Sequence, residues 1–187
     1  MRPRAEHRSA SRGFTLVELM IVVVIVSILA TIAVYGVSRY VASSKTGEAV
    51  QLIGAIKAAQ ESFKDETFRY LDVSTENDLV NYYPSNSKPG QQKVQWGGGS
   101  DDVANNWRML GVQPTTPVLF VYACAAGADD DAVPSPGTDI SIGNWPTAQN
   151  GPWYVVKAYA DLDAGGEHTV FVGTSFTTEL FSAHDGE

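Results

Sequence analysis

The sequence predicts an α+β fold in which one long N-terminal helix packs against a small antiparallel sheet. The first observation is apolar spacing of helical period from about residue 14 to about residue 65, inside a stretch, residues 14–83, that contains no proline. The second is a set of three short apolar runs after residue 110, at 118–123, 153–161 and 168–175. The length of 187 residues allows one small domain beside this helix.

The first half of the predicted helix, residues 14–38, is apolar enough to cross a membrane. No charged side chain occurs between Leu19 and Ser38, a run of 20 residues that Arg39 closes. A helix of about 20 apolar residues spans the hydrocarbon core of a bilayer. We therefore expect a transmembrane half.

The second half of the helix, residues 39–68, has an amphipathic pattern. Apolar side chains recur every three or four residues while charged ones occupy the other faces, which is typical of a helix that covers a core. The apolar positions are Ala49, Ile53, Ile56, Ala59 and Phe63. We expect this half to pack on the sheet.

Residues 69–187 form the predicted globular head, with two long loops at 84–106 and 127–152. Both loops are rich in small polar residues, glycine or proline. We expect Trp96 to hold the first loop against the head, and residues 107–111 to form a short helical turn. The glycines at 165 and 166 predict a hairpin between the last two strands.

The charge of the chain changes sign after residue 13. The basic leader, residues 1–13, carries four arginines against one glutamate, whereas the remainder carries nine basic and twenty acidic side chains. Basic residues before an apolar helix favour a cytoplasmic N-terminus, which places the acidic head across the membrane. An acidic head also argues against nucleic acid as a partner, since phosphate contacts need clustered Lys and Arg.

A secretory signal peptide and a plain single-pass anchor are the ordinary alternatives for the N-terminal segment. A signal peptide has an apolar region of 7 to 15 residues followed by a small-x-small cleavage site. Here the run is longer and Glu18 interrupts its start. A plain anchor explains neither Glu18 nor the junction between Gly13 and Phe14.

Glu18 is the most informative residue of the chain, because a carboxylate in lipid is costly and marks a functional position. Cleavage after Gly13 would leave an α-amine on Phe14, one helical turn away, as a counter-ion. In a polymer the amine of a neighbouring subunit could take that place. The sequence is compatible with either amine as the partner of Glu18.

The sequence Gly-Phe-Thr-Leu-Val-Glu-Leu at residues 13–19, heading an apolar helix, closely resembles the prepilin signature of type IV pilins and type II secretion pseudopilins. The resemblance implies export with the leader, cleavage after Gly13 by a prepilin peptidase and N-methylation of Phe14. It further implies assembly through Glu18 with identical or related subunits at an inner-membrane assembly platform. The helix would leave membrane lipid for the filament core, and the head would move from the periplasm to an extracellular pilus or a periplasmic pseudopilus.

The head contains few residues that could form a catalytic, metal or cofactor site. Cys124 is the single cysteine, which excludes an intrachain disulfide, and its apolar neighbours predict burial. Asp161 and Asp163 begin a pattern like a calcium loop, but its twelfth position is Val172 instead of the required glutamate, so turn formation is favoured over a metal. No cofactor motif occurs in the sequence.

Three functional classes follow from these features. The favoured one is a structural, non-enzymatic subunit of a pilus or, alternatively, of a secretion pseudopilus. A minor or tip pilin that binds surfaces or DNA would share the same N-terminal segment and differ in its head. A membrane-tethered enzyme would depend on Asp161 or Asp163, yet no nucleophile or pocket accompanies them in the sequence.

Overall fold

The structure is a computed structural model that describes residues 13–85, 87–162 and 164–184, without the side chains at 35, 38, 39 and 42. Helix α1 comprises Leu16–Thr67, 52 residues, which confirms the long N-terminal helix. The chain divides into two compact units, one ending at Ser38 and the other beginning at Arg39.

The first unit contains the apolar part of α1. Residues Leu16–Val34 have a mean hydropathy of 2.8 and are long and apolar enough to cross a membrane, by length and composition. None of these side chains is buried within the structure. The surface of this segment is therefore one that lipid or other apolar helices would cover.

The second unit contains a four-stranded antiparallel sheet. The strands are β1 (Val121–Gly127), β2 (Trp153–Ala160), β3 (Thr169–Thr174) and β4 (Phe181–Ala183), and their spatial order follows the chain. Strands β2 and β3 form the hairpin that the sequence predicts. The fold is thus the expected α+β architecture.

Helix α1 packs on one face of the sheet through the predicted apolar positions. Ala49, Ile53 and Ile56 are almost fully buried in one core with residues of all three long strands. Gly173 allows the close approach, because a Cβ there would lie 2.9 Å from Cγ2 of Ile53. The opposite face has its own core, to which the 127–152 loop contributes Val133.

Three local features differ from the sequence-based expectation. Strand β1 starts at Val121, because Val118 forms a separate bridge with Val94. Helix α2 (Asp102–Leu110) begins five residues before the predicted turn, since the Asp101 carboxylate accepts the backbone N–H of Ala104 at 2.9 Å and caps it. The short strand β4 was not predicted.

The expectation for Trp96 is confirmed. The ring is only 6% exposed and meets Tyr83 edge to face at a centroid distance of 4.9 Å. It also meets Trp107 of α2 at 5.1 Å. This aromatic cluster holds the loop and α2 against the sheet.

Candidate functional site

The predicted cleavage junction lies directly before α1 and is open to approach. A Cβ placed on Gly13 would meet no other atom within 4 Å. The side chain of Phe14 is 83% exposed. The backbone around this junction is therefore accessible to an enzyme that binds it in an extended form.

Glu18 is held by Thr15 at the first turn of α1. The carboxylate atom Oε2 accepts the backbone N–H of Thr15 at 2.9 Å and its hydroxyl at 2.7 Å. The hydroxyl oxygen of Thr15 in turn accepts the backbone N–H of Glu18 at 3.2 Å. Such a reciprocal arrangement is a capping box, and it satisfies N–H groups that a helix start leaves without partners.

The capping box adds Thr15 to the site, a residue that the sequence reasoning missed. The signal was present, because Thr-x-x-Glu before an apolar run is the sequence signature of this motif. The sequence reasoning assigned Glu18 an amine partner and did not consider a hydroxyl within the same turn. Glu18 therefore has a local structural role that needs no second subunit.

The two carboxylate oxygens of Glu18 differ in their surroundings. Oε2 carries both hydrogen bonds from Thr15, whereas Oε1 accepts none from the residues that the structure describes. A carboxylate has lone pairs for about four donors. Glu18 can thus cap its own helix and still accept a charged donor at Oε1.

Cys124 lies in the core between the sheet and α1, as its apolar neighbours predict. It is fully buried, and its Sγ accepts the Nε2–H of Gln60 at 3.1 Å. Burial raises the pKa of Cys124 to about 12, so the thiol stays protonated and unreactive. Gln60 also donates to the carbonyl of Leu71 and accepts its N–H, which fixes the end of α1 to the following segment.

Asp161 directly follows strand β2, and Asp163 lies outside the described residues. The N–H of Asp161 donates to the carbonyl of Pro89 at 2.9 Å, and Oδ2 accepts the Nε2–H of Gln91 at 3.4 Å. Gly90 is required here, because any Cβ would overlap the backbone of Asp161. Among the residues with described positions, no group of three or more His, Cys, Asp or Glu side chains could hold a metal.

Lys157 is a buried charge on the outer face of the sheet that the sequence reasoning did not identify. The residue is 5% exposed, and its Nζ lies 5.6 Å from the ring centroids of both Tyr82 and Tyr159. Burial lowers the pKa of Lys157, while the carboxylates of Asp139 and Asp78 oppose the shift. Two aromatic faces thus partly replace its hydration.

Comparison with known proteins identifies the N-terminal segment. Residues 8–34 match the family model described as the prokaryotic N-terminal methylation motif. This range contains the Gly13–Phe14 junction and Glu18. No solved structure matches the chain.

Several curated proteins are similar to part of the chain. The type IV major pilin protein PilA of Myxococcus xanthus is 39% identical over 95 residues, 51% of this chain and 42% of that protein. The type IV major fimbrial protein FimA of Dichelobacter nodosus is 38% identical over 74 residues, 39% of this chain and 46% of FimA. A fimbrial protein of Pseudomonas aeruginosa is 49% identical over 53 residues, 28% of this chain and 34% of its own length.

The matched region spans less than half the length of these relatives. The similarity of this region to pilins nevertheless has two independent sources, the match to the methylation motif and the matches to pilin and fimbrial proteins. The fold described above, a long N-terminal helix on a small antiparallel sheet, agrees with the fold that the resemblance implied. The chain thus carries the prokaryotic N-terminal methylation motif, and its N-terminal part is similar to type IV pilin and fimbrial proteins.

Proposed function

We propose that this protein is a structural subunit of a type IV pilus. In this proposal a prepilin peptidase cuts the chain after Gly13, Phe14 becomes N-methylated, and the subunit is assembled from the inner membrane. The observation that carries the proposal is the methylation motif over residues 8–34, with Glu18 at the start of an apolar helix. The similarity to proteins named major pilin and fimbrial protein favours a pilus over a secretion pseudopilus.

Before assembly, the apolar part of α1 anchors the subunit in the inner membrane with its head in the periplasm. The large side chains of this segment are at least half exposed in the isolated chain, for example Leu19 at 59% and Ile25 at 52%. Each such side chain gains about 1.5–3 kcal/mol when it leaves water. Lipid supplies that environment first, and the apolar helices of other subunits supply it later.

The transfer from lipid to a filament core changes little hydrophobic energy, because acyl chains and apolar side chains are similar solvents. Helix association in such surroundings depends on packing and on polar contacts. Glu18 is the acidic residue within the apolar segment of α1. We therefore assign the register between subunits to Glu18.

The capping box suggests different roles for the two oxygens of this carboxylate. Oε2 stays with Thr15 and keeps the first turn of the helix formed. Oε1 accepts the α-amine of Phe14 from a neighbouring subunit. A paired charge among apolar helices is far less costly than either charge alone.

The head faces outward in the assembled pilus and needs no catalytic site for this role. Its acidic character keeps the filament soluble and gives it a negative surface. A minor or tip position for this subunit is distinguished from the main shaft by abundance, since the shaft subunit must greatly outnumber the others.

The test combines mass and localisation. Filaments sheared from cells that express the wild-type gene should contain this protein, beginning at Phe14 and carrying one added methyl group. Cells that lack the gene should lose the filaments, and a plasmid copy should restore them. Surface filaments that persist unchanged without the gene, or a mature protein that begins at Met1, would contradict the proposal.

A further inference from the structure

Near its end, the 127–152 loop carries Asn150, which is exposed, followed directly by Gly151. This is the one Asn-Gly sequence in the chain, and asparagine is among the chemically labile residues of proteins. A following glycine favours loss of the side-chain amide, because no Cβ keeps the glycine nitrogen away from the asparagine side chain. A Cβ placed on Gly151 would meet no other atom within 4 Å, so the space around this peptide bond is open. Asn150 is therefore a candidate for deamidation.

Deamidation needs no reactant other than water. The backbone nitrogen of Gly151 loses its proton to hydroxide and forms a bond to Cγ of Asn150. The C–N bond of the side-chain amide then breaks, and the nitrogen leaves as ammonia after it takes a proton from water. Water opens the resulting succinimide ring at either of its carbonyl carbons. The products are aspartate and isoaspartate, in which the main chain continues through Cβ and Cγ, and both replace a neutral amide with a carboxylate.

The two ends of this loop are paired through their backbones. The N–H of Asp130 donates to the carbonyl of Gln149 at 3.1 Å. Ala132 forms an antiparallel bridge with Ala148. The residues next to these pairs are thereby held close together, although they come from opposite ends of the loop.

Asp129 binds the nitrogen that deamidation would need. Its Oδ1 accepts the N–H of Gly151, and a hydrogen bond from an N–H to a carboxylate is stronger than one to a neutral oxygen. Removal of the Gly151 proton would leave a negative nitrogen against a negative carboxylate, and a nearby like charge disfavours the charged form of a group. The nucleophile of the reaction is therefore kept protonated.

We propose that Asn150 is a site of spontaneous deamidation and that Asp129 slows the reaction by holding the Gly151 N–H. The proposal concerns the chemistry of the head and is independent of assembly into a pilus. Deamidation adds a negative charge one residue from the contact with Asp129, where like charges repel. Isoaspartate also lengthens the main chain at this point. Both effects disfavour the pairing that closes the loop.

The rate of ammonia loss at Asn150 tests the proposal. Purified full-length protein in detergent is incubated at mildly alkaline pH, and the peptide that contains residue 150 is followed by liquid chromatography and mass spectrometry. Asp129→Ala should raise the rate about tenfold, the factor that corresponds to a contact of about 1.4 kcal/mol. Asp130→Asn is the matched control, because it removes one charge from the neighbouring exposed position, and it should keep the wild-type rate.

Two further measurements identify the reacting residue and the contact. Asn150→Gln in the Asp129→Ala background should lose the fast reaction, because the longer side chain would have to close a larger ring. Hydrogen exchange at the Gly151 N–H should be slower in the folded wild type than in the same chain unfolded in guanidinium chloride, and Asp129→Ala should remove most of this protection. Rates for the folded proteins are measured well below the melting temperature of each variant, so that global unfolding does not contribute.

The outcomes test the guarding contact and the site separately. An Asp129→Ala protein that deamidates at the wild-type rate or more slowly would overturn the protective role of Asp129, as would an unprotected Gly151 N–H in the folded wild type. An equal acceleration in Asp130→Asn would show that general charge, and not this hydrogen bond, sets the rate. An Asn150 that stays unmodified both in Asp129→Ala and in the unfolded chain would overturn the site itself.

Discussion

Replacement of Glu18 by alanine should leave the subunit in the membrane and block its entry into filaments. Two different contributions are lost in this variant. The first is the pair of hydrogen bonds that Oε2 accepts from Thr15 at 2.9 and 2.7 Å, and loss of a helix cap costs about 1 kcal/mol. The second, in the filament that we propose, is the charge partner of the neighbouring amine, and a buried charge without its partner costs about 3–5 kcal/mol.

These magnitudes predict how strongly each of three variants reduces assembly. Since about 1.4 kcal/mol corresponds to a factor of ten, Glu18→Ala should lower the ratio of filament to membrane-held subunit by about 100-fold or more. Thr15→Val removes the hydroxyl of the cap but keeps the carboxylate, so the ratio of filament to membrane-held subunit should fall by less than about tenfold. Glu18→Gln keeps the length of the side chain without its charge, and it should resemble Glu18→Ala more than Thr15→Val.

The assay is the ratio of sheared filament to membrane-held subunit by immunoblot, with the cleaved fraction measured in the same samples. All three variants should be inserted and cleaved like wild type, because the carboxylate lies near the helix start where water remains within reach. A wild-type ratio for Glu18→Ala would refute the assembly role of Glu18. An equally severe defect in Thr15→Val would show that the cap, and not the charge pair, carries the effect.

Four further outcomes follow from the same structure. Gly13→Leu should retain the leader in an intact-mass measurement, because a side chain hinders close approach at the junction, and normal cleavage would contradict this reasoning. Cys124→Ala should assemble and cost about 1 kcal/mol of unfolding free energy, and rapid alkylation of the native thiol at pH 8 would argue against its raised pKa. Gln60→Leu should cost about 3 kcal/mol, since the backbone groups of Leu71 lose their partners, whereas an unchanged denaturation midpoint would show that water replaces the amide. Burial lowers the pKa of Lys157 below its ordinary 10.5, so the folded state releases its proton first and the contribution of Lys157 to stability rises as the pH approaches 10.5. Buried tyrosines, whose pKa values are raised by burial, lower the stability of wild type and Lys157→Met alike in this range. The stability of wild type relative to Lys157→Met should therefore rise with pH, and a difference that does not change with pH would refute the assignment.

Residues whose role depends on periodicity were predictable from the sequence. Ile53 and Ile56 are buried as their helical spacing indicates, because one apolar stripe must face the sheet whatever the details of the head. Asp101 and Thr15 were missed although each acts within three residues of its partner. Local capping signals of this kind were readable, and their neglect shortened the predicted helix α2.

Long-range polar contacts could not be read from the sequence in the same way. Gln60 meets Cys124 across 64 residues of chain, and Lys157 meets the ring of Tyr82, which comes from a distant part of the head. Neither contact follows from local composition or period, since each depends on how the sheet brings distant segments together. The exposed Phe68 belongs to the same class, because only the structure shows its positive φ.

Strand β1 lies at one edge of the sheet, and its outer side is already hydrogen-bonded to residues between 73 and 83. The carbonyl of Cys124 accepts the N–H groups of Val73 and Ser74 at 3.0 and 2.9 Å, and the Ser74 hydroxyl oxygen accepts the N–H of Cys124 at 2.8 Å. Tyr83 forms a bridge with Tyr122 on the same edge. An incoming strand would have to break these bonds before it could pair with β1. Growth of the proposed filament by strand addition at this edge is therefore disfavoured, which agrees with our proposal that Glu18 at the start of α1 sets the register between subunits.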